Sequence, residues 1–308
     1  MSEFPVPPKQ LIARVGWDTH AAGDLRAAYL QRGLMHWQLV KSLAPDGITL
    51  AGRQVLDFGS GAGRIVRHAL AEDPGAEFWA CDIDGPSIAW LDDHLSPPLH
   101  VARISELPPT PFGDDQFDLV YCFSVFTHLL DSWSAWLLEL HRILAPTGVA
   151  IVTVFGPGAA AHRDLPLDEQ HIGMLAFEPG TPWDDGGPLI AHSEWWLRAH
   201  WGRAFEIRSI QRGDASGAAP LFGQAALVLQ KRTGTFTAGE LEQPEPGEPC
   251  ELAAASTQAA SLRHEVERLA GELEVFATSR SWRLTAPLRG LARVFRRGRE
   301  RRSGGRSS

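Results

Sequence analysis

The sequence predicts an α/β protein built on a mostly parallel sheet. From residue 54 onward, short apolar runs alternate with amphipathic stretches, and this strand–helix order is typical of parallel sheets. Three glycines at alternate positions follow the first apolar run, as expected where a buried strand turns tightly into a helix. The apolar runs 204–211 and 224–231 predict a hairpin added to one sheet edge.

The individual elements follow from the same alternation. Strands are predicted at 54–58, 77–82, 99–104, 117–123 and 148–155, and helices at 63–71, 86–95, 132–144 and 193–202. Asp84 before Pro86, and Asp131 before the next apolar helical stripe, are the expected helix starts. The run 148–155 is nearly all apolar, which indicates a central strand buried on both faces.

Composition divides the chain into five predicted segments. Residues 1–50 show helical periodicity and predict a helical cap before the sheet domain at 51–232, while 233–250 are rich in Thr, Gly, Glu and Pro and predict a flexible linker. Residues 251–279 predict a short helical or coiled-coil segment, and 280–308 a basic amphipathic tail. Within the domain, 156–190 have weak periodicity, which in a compact domain favours a functional or disordered loop.

The coiled-coil prediction depends on five apolar residues spaced 4, 3, 4 and 3 apart: Leu262, Val266, Leu269, Leu273 and Phe276. This is the heptad spacing of a helix–helix seam, although it covers only about two repeats.

Charge and cysteine content exclude several classes. The tail holds ten arginines against Glu300 alone, so the rest of the chain is strongly acidic, and we expect no nucleic-acid partner. Three scattered cysteines and no His/Asp/Glu cluster with ligand spacing predict neither a disulfide framework nor a metal site. We find no signal core and no apolar run of membrane-spanning length, so we expect a cytoplasmic location.

The stretch VLDFGSGAGR at 55–64 is the most informative part of the chain. Its glycine turn suits a dinucleotide site, a nucleoside site or a plain tight turn. A dinucleotide fingerprint needs glycine or alanine where Arg64 stands. The next apolar strand ends in Asp82, 19 residues past Gly63, where a carboxylate can accept hydrogen bonds from ribose hydroxyls. Together these features predict a nucleoside pocket.

Four stretches in this order resemble the class I S-adenosylmethionine-dependent methyltransferases: VLDFGSGAGR, ACDID, FDLVYCFSVFTHL and LLELHRILAPTGVAIVTVF. The resemblance covers roughly residues 50–232, which would then be the methyltransferase domain. It implies a Rossmann-like, seven-stranded, mostly parallel sheet with a terminal antiparallel hairpin, and S-adenosyl-L-methionine as the cofactor.

The resemblance also implies roles for individual residues. Asp57 would support the amino-acid end of the cofactor, Asp82 the ribose and Ile83 the adenine, and Ser124 would lie near the methionine part. The backbone that approaches the cofactor would be that of Gly59, Ser60, Gly61 and Gly63. Many relatives carry an acid after the third strand, where Arg103 stands here, so the adenine contact is left to a backbone carbonyl or to Glu106.

Methyl transfer to a hydroxyl needs a base that takes the proton, and histidine is the usual choice. His128, in the loop after the fourth strand, is the first candidate for this catalytic role, and His192, before the helix at 193–202, is the second. For each histidine the alternative to a catalytic role is a structural one, in which the ring binds only the protein backbone. His141 lies on an amphipathic helix and is interpreted as structural. The acceptor site is expected from residues 1–50 and 156–190.

The tail adds a substrate class. SRSWRLTAPLR at 279–289 resembles a C-terminal motif of bacterial surface-polysaccharide enzymes, which implies a saccharide acceptor in glycan assembly. Leu284, Leu288, Leu291 and Phe295 form an apolar stripe among arginines. Such a segment can lie on an anionic membrane surface, here the inner face, or dock on the acidic body or on glycan-assembly proteins.

Four hypotheses follow. The first is a methyltransferase that O-methylates a saccharide hydroxyl in surface glycan biosynthesis, and the second is a small-molecule or lipid methyltransferase of the same fold. The third is a non-catalytic methyltransferase-like subunit that recruits glycan enzymes. The fourth, a nicotinamide oxidoreductase, is disfavoured by Arg64 and by the glycine spacing.

Overall fold

The sheet has the topology that the sequence predicts. The computed structural model describes residues 4–14, 24–45, 49–165, 167–177, 187–279 and 282. Numbered in chain order, the strands of the main sheet are β1 (Gln54–Phe58), β2 (Glu77–Asp82), β3 (His100–Arg103), β4 (Phe117–Cys122), β5 (Leu144–Val154), β8 (Phe205–Gln211) and β9 (Ala225–Lys231). Their order is β3-β2-β1-β4-β5-β9-β8, with β9 antiparallel to both neighbours. The seven-stranded, mostly parallel sheet is thereby confirmed.

Helices flank the sheet in the alternation read from the sequence. They are α1 (Lys9–Ala13), α2 (Leu25–Leu43), α3 (Val66–Glu72), α4 (Gly85–Leu95), α5 (Trp133–Ile143), α6 (Pro157–His162), α7 (Glu194–His200), α8 (Ala238–Glu242) and α9 (Glu251–Thr278). The side chain of Asp84 accepts from the Ser87 amide and caps α4 as predicted. At α5 the prediction was wrong by one residue, because Ser132, and not Asp131, occupies the N-cap.

Alternation along β1 divides the apolar core between the two faces of the sheet. Leu56 and Phe58 pack with α5 and the β8–β9 hairpin, while Val55 packs with α2, α3 and α4 on the other face. Asp57 has the same parity as Val55, so its carboxyl points to the α2–α3 side and into a buried environment.

The N-terminal helix α2 packs directly on the glycine turn. A Cβ atom on Gly33 would lie 2.0 Å from the carbonyl oxygen of Arg64, so only glycine permits this approach. The Tyr29 hydroxyl donates to the Ala62 carbonyl at 3.0 Å, and the Arg67 guanidinium donates to the Gly63 carbonyl at 2.9 Å. The N-terminal segment therefore supports the turn from outside the sheet.

Segment 156–190 holds more structure than its composition indicates. Besides α6 it contains β6 (Met174–Phe177) and β7 (Leu189–His192), which pair as a separate antiparallel sheet. Two hydrogen bonds anchor β7 to the carboxyl edge of the main sheet. Its Ile190 amide donates to the Thr127 carbonyl at 2.7 Å, and its His192 amide to the Phe155 carbonyl at 2.8 Å. Gly- and Pro-rich sequence hides such short strands because their partners lie outside any local window.

The interval 233–250 also differs from the expected linker. Thr237 and Glu240 form a capping box at the start of α8, and Leu241 is fully buried. His200 is hydrogen-bonded through Nδ1 to the Leu241 carbonyl at 2.7 Å and through Nε2 to Glu251 at 2.8 Å. The buried Leu241 side chain and the two hydrogen bonds of His200 therefore hold in place a segment whose composition alone suggests flexibility. The five domain boundaries stay predictions.

The chain divides into two compact units, Met1–Ala255 and Ser256–Ser308. In the second unit the structure describes the larger part of α9, and the predicted basic tail lies almost entirely outside the described residues. Within the described part of the chain, no helix combines the length and the apolar character needed to cross a membrane.

Candidate functional site

A left-handed turn joins β1 to α3 at the carboxyl edge of the sheet. Gly59, Gly61 and Gly63 have φ values of +76°, +50° and +74°, a region that side-chain-bearing residues rarely adopt. The amides of Gly59 and Ser60 both donate to the Cys81 carbonyl at the end of β2, at 2.9 and 3.0 Å. The Ser60 hydroxyl donates to the Gly61 carbonyl at 3.3 Å, so it faces the turn itself.

The three glycines differ in what surrounds them. A Cβ on Gly63 would lie 2.6 Å from Leu91 of α4, so this glycine is required by helix packing. A Cβ on Gly59 would lie 2.3 Å from the Val125 side chain, in the loop that follows β4. Packing therefore already requires glycine at positions 59 and 63, separately from the predicted approach of a cofactor to their backbone.

Asp82 fastens this turn to the neighbouring strand. Its Oδ2 accepts the Gly61 amide at 2.7 Å, and its Oδ1 accepts the Asp84 amide at 2.9 Å. Burial raises the pKa of the carboxyl, and the two backbone amides oppose that rise. Ile83 follows directly and is partly buried against the α5-side core. The acid predicted at this position thus lies against the glycine turn.

Asp57 is buried under the same turn. Its Oδ2 makes no hydrogen bond of ordinary geometry among the described residues, although the Tyr121 hydroxyl on β4 is close enough to the carboxyl to oppose the rise of its pKa. Burial raises the pKa of Asp57 to about 7, against the opposing effect of Arg64. A buried carboxyl with an unsatisfied oxygen calls for an explanation, and a cationic or hydrogen-bond-donating ligand group would supply one.

Ser124, which follows the end of β4 by two residues, also has left-handed backbone. Its φ is +60°, a strained value for a residue with a side chain and one that concentrates at functional sites. Its amide donates to Thr153 Oγ1 at 2.8 Å, and the Gln224 amide donates to its hydroxyl at 2.9 Å. Gln224 lies 100 residues away in sequence, so no local pattern could have indicated it.

The structure fixes the tautomer of His128. Its Nδ1 lies 2.8 Å from the Pro188 carbonyl, just before β7. A carbonyl only accepts, so Nδ1 carries the proton, and in the neutral ring Nε2 is the acceptor. Burial lowers the pKa of His128, which keeps the ring neutral near pH 7. The predicted catalytic residue therefore has the form of a general base.

His192 has a different environment. It is buried against Trp196 and Trp201, with ring centroids 5.5 and 5.9 Å away, and neither ring nitrogen has a partner among the described residues. Burial lowers its pKa to about 3. His141 bonds the Arg232 carbonyl at 2.8 Å, in line with its structural interpretation. Of the two proposed bases, only His128 is partly accessible.

Sequence reasoning missed a group of residues beside the turn. His36 of α2 stacks on Phe123 at 4.6 Å and bonds the Pro220 carbonyl at 2.9 Å through Nε2. The Arg32 guanidinium lies 3.9 Å from the centre of the Phe222 ring. These residues come from segments about 90 to 190 residues apart, so only the fold brings them together.

Arg103 and Glu106, considered for the adenine contact, lie at different points. The Arg103 guanidinium lies beside Gly85 at the start of α4, where an added Cβ would be 3.1 Å from its Cζ. The Glu106 carbonyl accepts the Trp136 indole N–H at 3.2 Å. Neither contact settles how adenine would be recognised.

A second, charged cavity lies at the opposite edge of the sheet. It encloses about 520 Å³ and includes His141, Arg142 and Lys231 in its lining. Arg142 already donates to Glu139, Asp114 and the Phe112 carbonyl, so its charge is satisfied within the protein. Across the described residues, no group of three or more His, Cys, Asp or Glu side chains could hold a metal ion.

Comparison with known proteins gives two independent likenesses. Residues 56–152 match a family model described as a methyltransferase domain. The malonyl-[acyl-carrier protein] O-methyltransferase of Halorhodospira halophila is 31% identical over 150 residues, which are 47% of this chain and 48% of that protein. The chain thus spans about half the length of the curated relative it matches.

Solved structures resemble the chain over most of their own length. An S-adenosylmethionine-dependent methyltransferase of Aquifex aeolicus is 15% identical, covering 65% of this chain and 91% of that one, with a TM-score of 0.42. One of Mesorhizobium loti is 15% identical, covering 64% and 98%, with a TM-score of 0.46. The 1,6-didemethyltoxoflavin-N1-methyltransferase of Burkholderia thailandensis, which holds S-adenosylhomocysteine, is 19% identical, covering 70% and 93%, with a TM-score of 0.43. Likenesses of this strength carry no argument about substrate.

The raised pKa of Asp57 predicts a pH-dependent stability difference. Because the fold favours the protonated carboxyl, its ionisation costs stability as the pH rises from the ordinary aspartate pKa of 3.8 through about 7. Asp57→Asn should therefore gain stability relative to the parent protein, and the gain at pH 5.5 should be only about half of that at pH 8.5. The gain is at most about 4 kcal/mol, measured by urea unfolding at both pH values.

Asp93→Asn, on the exposed face of α4, is the matched control and should show no such pH dependence. An equal effect of Asp57→Asn at the two pH values would contradict the buried, protonated state.

Proposed function

We propose that this chain, whose residues 56–152 match a methyltransferase domain, uses S-adenosylmethionine to O-methylate a hydroxyl group of a saccharide acceptor. The observation that carries the proposal is the left-handed glycine turn after β1, which the carboxyl of Asp82 at the end of β2 holds through the Gly61 amide. Helix N-termini and carboxylates at this edge of an α/β sheet are the usual elements of a nucleoside site.

The residues present fit the cofactor on two further points. The buried, unsatisfied Oδ2 of Asp57 suits the positively charged amino group of a methionine moiety, and the Asp82 carboxylate suits ribose hydroxyls. Gly59, Gly61 and Ser124 would border the same group. When bound, S-adenosylmethionine supplies an activated methyl group on a sulfonium, so the protein mainly has to position the acceptor and exclude water.

In this proposal His128 is the general base. Its Nδ1–H is held by the Pro188 carbonyl, so Nε2 is the atom that accepts the proton of the acceptor hydroxyl. The Pro188 bond also stabilises the positive ring formed after proton transfer. His192 is sealed among tryptophan rings, which favours a packing role for it.

The guanidinium of Arg163, near His128, supports the proposal that the acceptor carries a negative charge. Arg163, at the end of α6, is exposed, lies 5.7 Å from the Phe155 ring and contributes to lowering the pKa of His128. It makes no ion pair with any carboxylate in the described part of the chain. A carboxylate or phosphate on the acceptor, as in a uronic acid or a nucleotide-linked sugar, would pair with this guanidinium.

The second candidate function is methylation of a small acidic molecule or a lipid. It is supported by the same arginine and by the relative whose name specifies a malonyl group. The saccharide acceptor remains our first proposal because of the tail motif at 279–289. A non-catalytic subunit that recruits glycan enzymes is the third, and turnover on any acceptor would exclude it.

Asp82→Ala should weaken S-adenosylmethionine binding at least tenfold in calorimetry. It removes a charged hydrogen-bond acceptor of the proposed ribose and also releases the Gly61 amide. S-adenosylhomocysteine should behave likewise, and NAD should not bind the parent protein. Asp84→Ala, which removes the α4 cap and an ion pair with Arg14 but leaves the Asp82 side chain in place, is the control. Unchanged affinity in Asp82→Ala would contradict the ribose role.

His128→Gln should lower kcat by about 10² to 10⁴ while leaving cofactor affinity unchanged. Radiolabelled methyl transfer is measured on uronic acids, nucleotide sugars, extracted glycans and a malonyl thioester. Because burial lowers the pKa of His128, the parent activity should fall only below about pH 6.5, the ordinary histidine pKa.

His192→Phe is the control and should keep activity within a few-fold. Equal losses in His128→Gln and His192→Phe would contradict the assignment of the base. Turnover on the malonyl thioester without any on sugars would favour the second candidate function.

We further propose that the chain works in the cytoplasm, with the arginine-rich tail, 280–308, bringing it to anionic lipid on the inner face of the membrane. Each arginine near such a surface contributes about 1 kcal/mol. The protein should co-sediment with phosphatidylglycerol vesicles at low salt, and be released by salt or by changing the arginines of 293–306 to glutamine. Equal binding to neutral phosphatidylcholine vesicles, or none to either, would contradict the proposal and favour a protein partner.

A further inference from the structure

Helix α9 exposes a row of large apolar side chains. Leu262, Val266, Leu269, Leu273 and Phe276 are 54%, 65%, 45%, 67% and 56% exposed. Isolated exposed apolar residues are ordinary, but a contiguous row on one helix face marks an interaction surface. We call these five residues the α9 seam.

The five large side chains of the seam occupy only a and d positions, which makes the apolar stripe narrow. A helix that lies on a globular surface usually presents a broader stripe that includes e or g positions, whereas a stripe of a and d positions alone is typical of a coiled-coil seam. Ala255 and Ala259 continue the same positions toward the N-terminus with small apolar side chains. The narrow stripe therefore indicates another helix as the partner.

We propose that the α9 seam pairs with the same seam of a second copy of this chain, as a parallel two-stranded coiled coil. In heptad notation, Val266 and Leu273 occupy a positions, and Leu262, Leu269 and Phe276 occupy d positions. Val266 at a, followed by Leu269 at d, is the combination that favours two strands.

The flanking charges select the parallel orientation. Glu265 and Glu272 occupy g positions, and Ala270 and Ala277 occupy e positions. An antiparallel pair would set the g positions of the two copies against each other, which brings like charges together. In a parallel pair each glutamate faces an alanine of the partner instead, and no repulsion arises.

Charge also disfavours lipid as the occupant of this seam. Residues 256–279 hold four glutamates and two arginines, so an anionic surface would repel this segment. Arg268 is engaged within the helix by Glu265, at 2.6 Å, and by Glu272. The helix thus differs from the arginine-rich segment that follows it, and the two have different partners.

Pairing through α9 would place two arginine-rich segments at one point. Two weak attachments to the same surface then act together, because the second is formed at high effective concentration. This consequence depends on the dimer and not on methyl transfer, so the two proposals can fail separately.

The test compares two aspartate substitutions two residues apart. Leu273→Asp breaks the seam, whereas Val275→Asp changes a side chain that is 72% exposed at a c position outside it. Light scattering coupled to size-exclusion chromatography should give a dimer mass for the parent chain and for Val275→Asp, and a monomer mass for Leu273→Asp. A monomeric parent at hundreds of micromolar, or equal effects of the two substitutions, would overturn the proposal.

Cross-linking tests orientation independently of helix stability. In a Cys250→Ser background, Leu273→Cys and a differently tagged Leu262→Cys chain are mixed and oxidised. A parallel pair gives disulfides only between identical positions, while an antiparallel pair, in which d positions face a positions of the partner, joins position 262 to position 273. The mixed product, or the absence of any cross-linked dimer, would overturn the parallel coiled coil.

Discussion

The hydrogen bond from the Gly61 amide to the Asp82 carboxylate, 2.7 Å long, is the constraint on which the candidate site depends. It joins two strand ends that are neighbours in the sheet but 21 residues apart in sequence. It also holds the left-handed turn open toward the carboxyl edge, where the backbone of Gly59 and Gly61 can meet a ligand. A carboxylate can serve both tasks because it has more lone pairs than the two backbone amides use.

The rest of the molecule supports that turn from several sides. Helix α2 approaches it closely through Gly33 and bonds it through Tyr29, so the N-terminal segment is part of the site's foundation. Strand β7 closes the other side and sets the His128 ring through Pro188. Both supports come from segments outside the region that matches the methyltransferase family model. The matched region is therefore supported at this turn by segments that lie outside the match.

The limits of sequence reasoning show in particular elements. Strands β1 and β2 were predicted to the residue, because each is a short apolar run ended by a glycine or an acid. Strands β6 and β7 were missed, because they are four residues long and stable only as a pair anchored to the main sheet. Helix α8 was missed because a single buried leucine holds it. The composition of a segment is an average over many residues, so it gives no signal for a single contact of this kind.

The sequence by itself determined the strand–helix order, the glycine turn and the acid after the second strand. The order follows from local periodicity, and the turn from backbone angles that only glycine adopts readily, while the seven-stranded sheet was implied by the resemblance to a known family. Only the tertiary structure shows how the environments of His128 and His192 differ. One bonds a carbonyl 60 residues away through Nδ1, and the other lies buried among tryptophans. A histidine's chemistry depends on which group faces each nitrogen and on its burial, and both are set by segments distant in the chain.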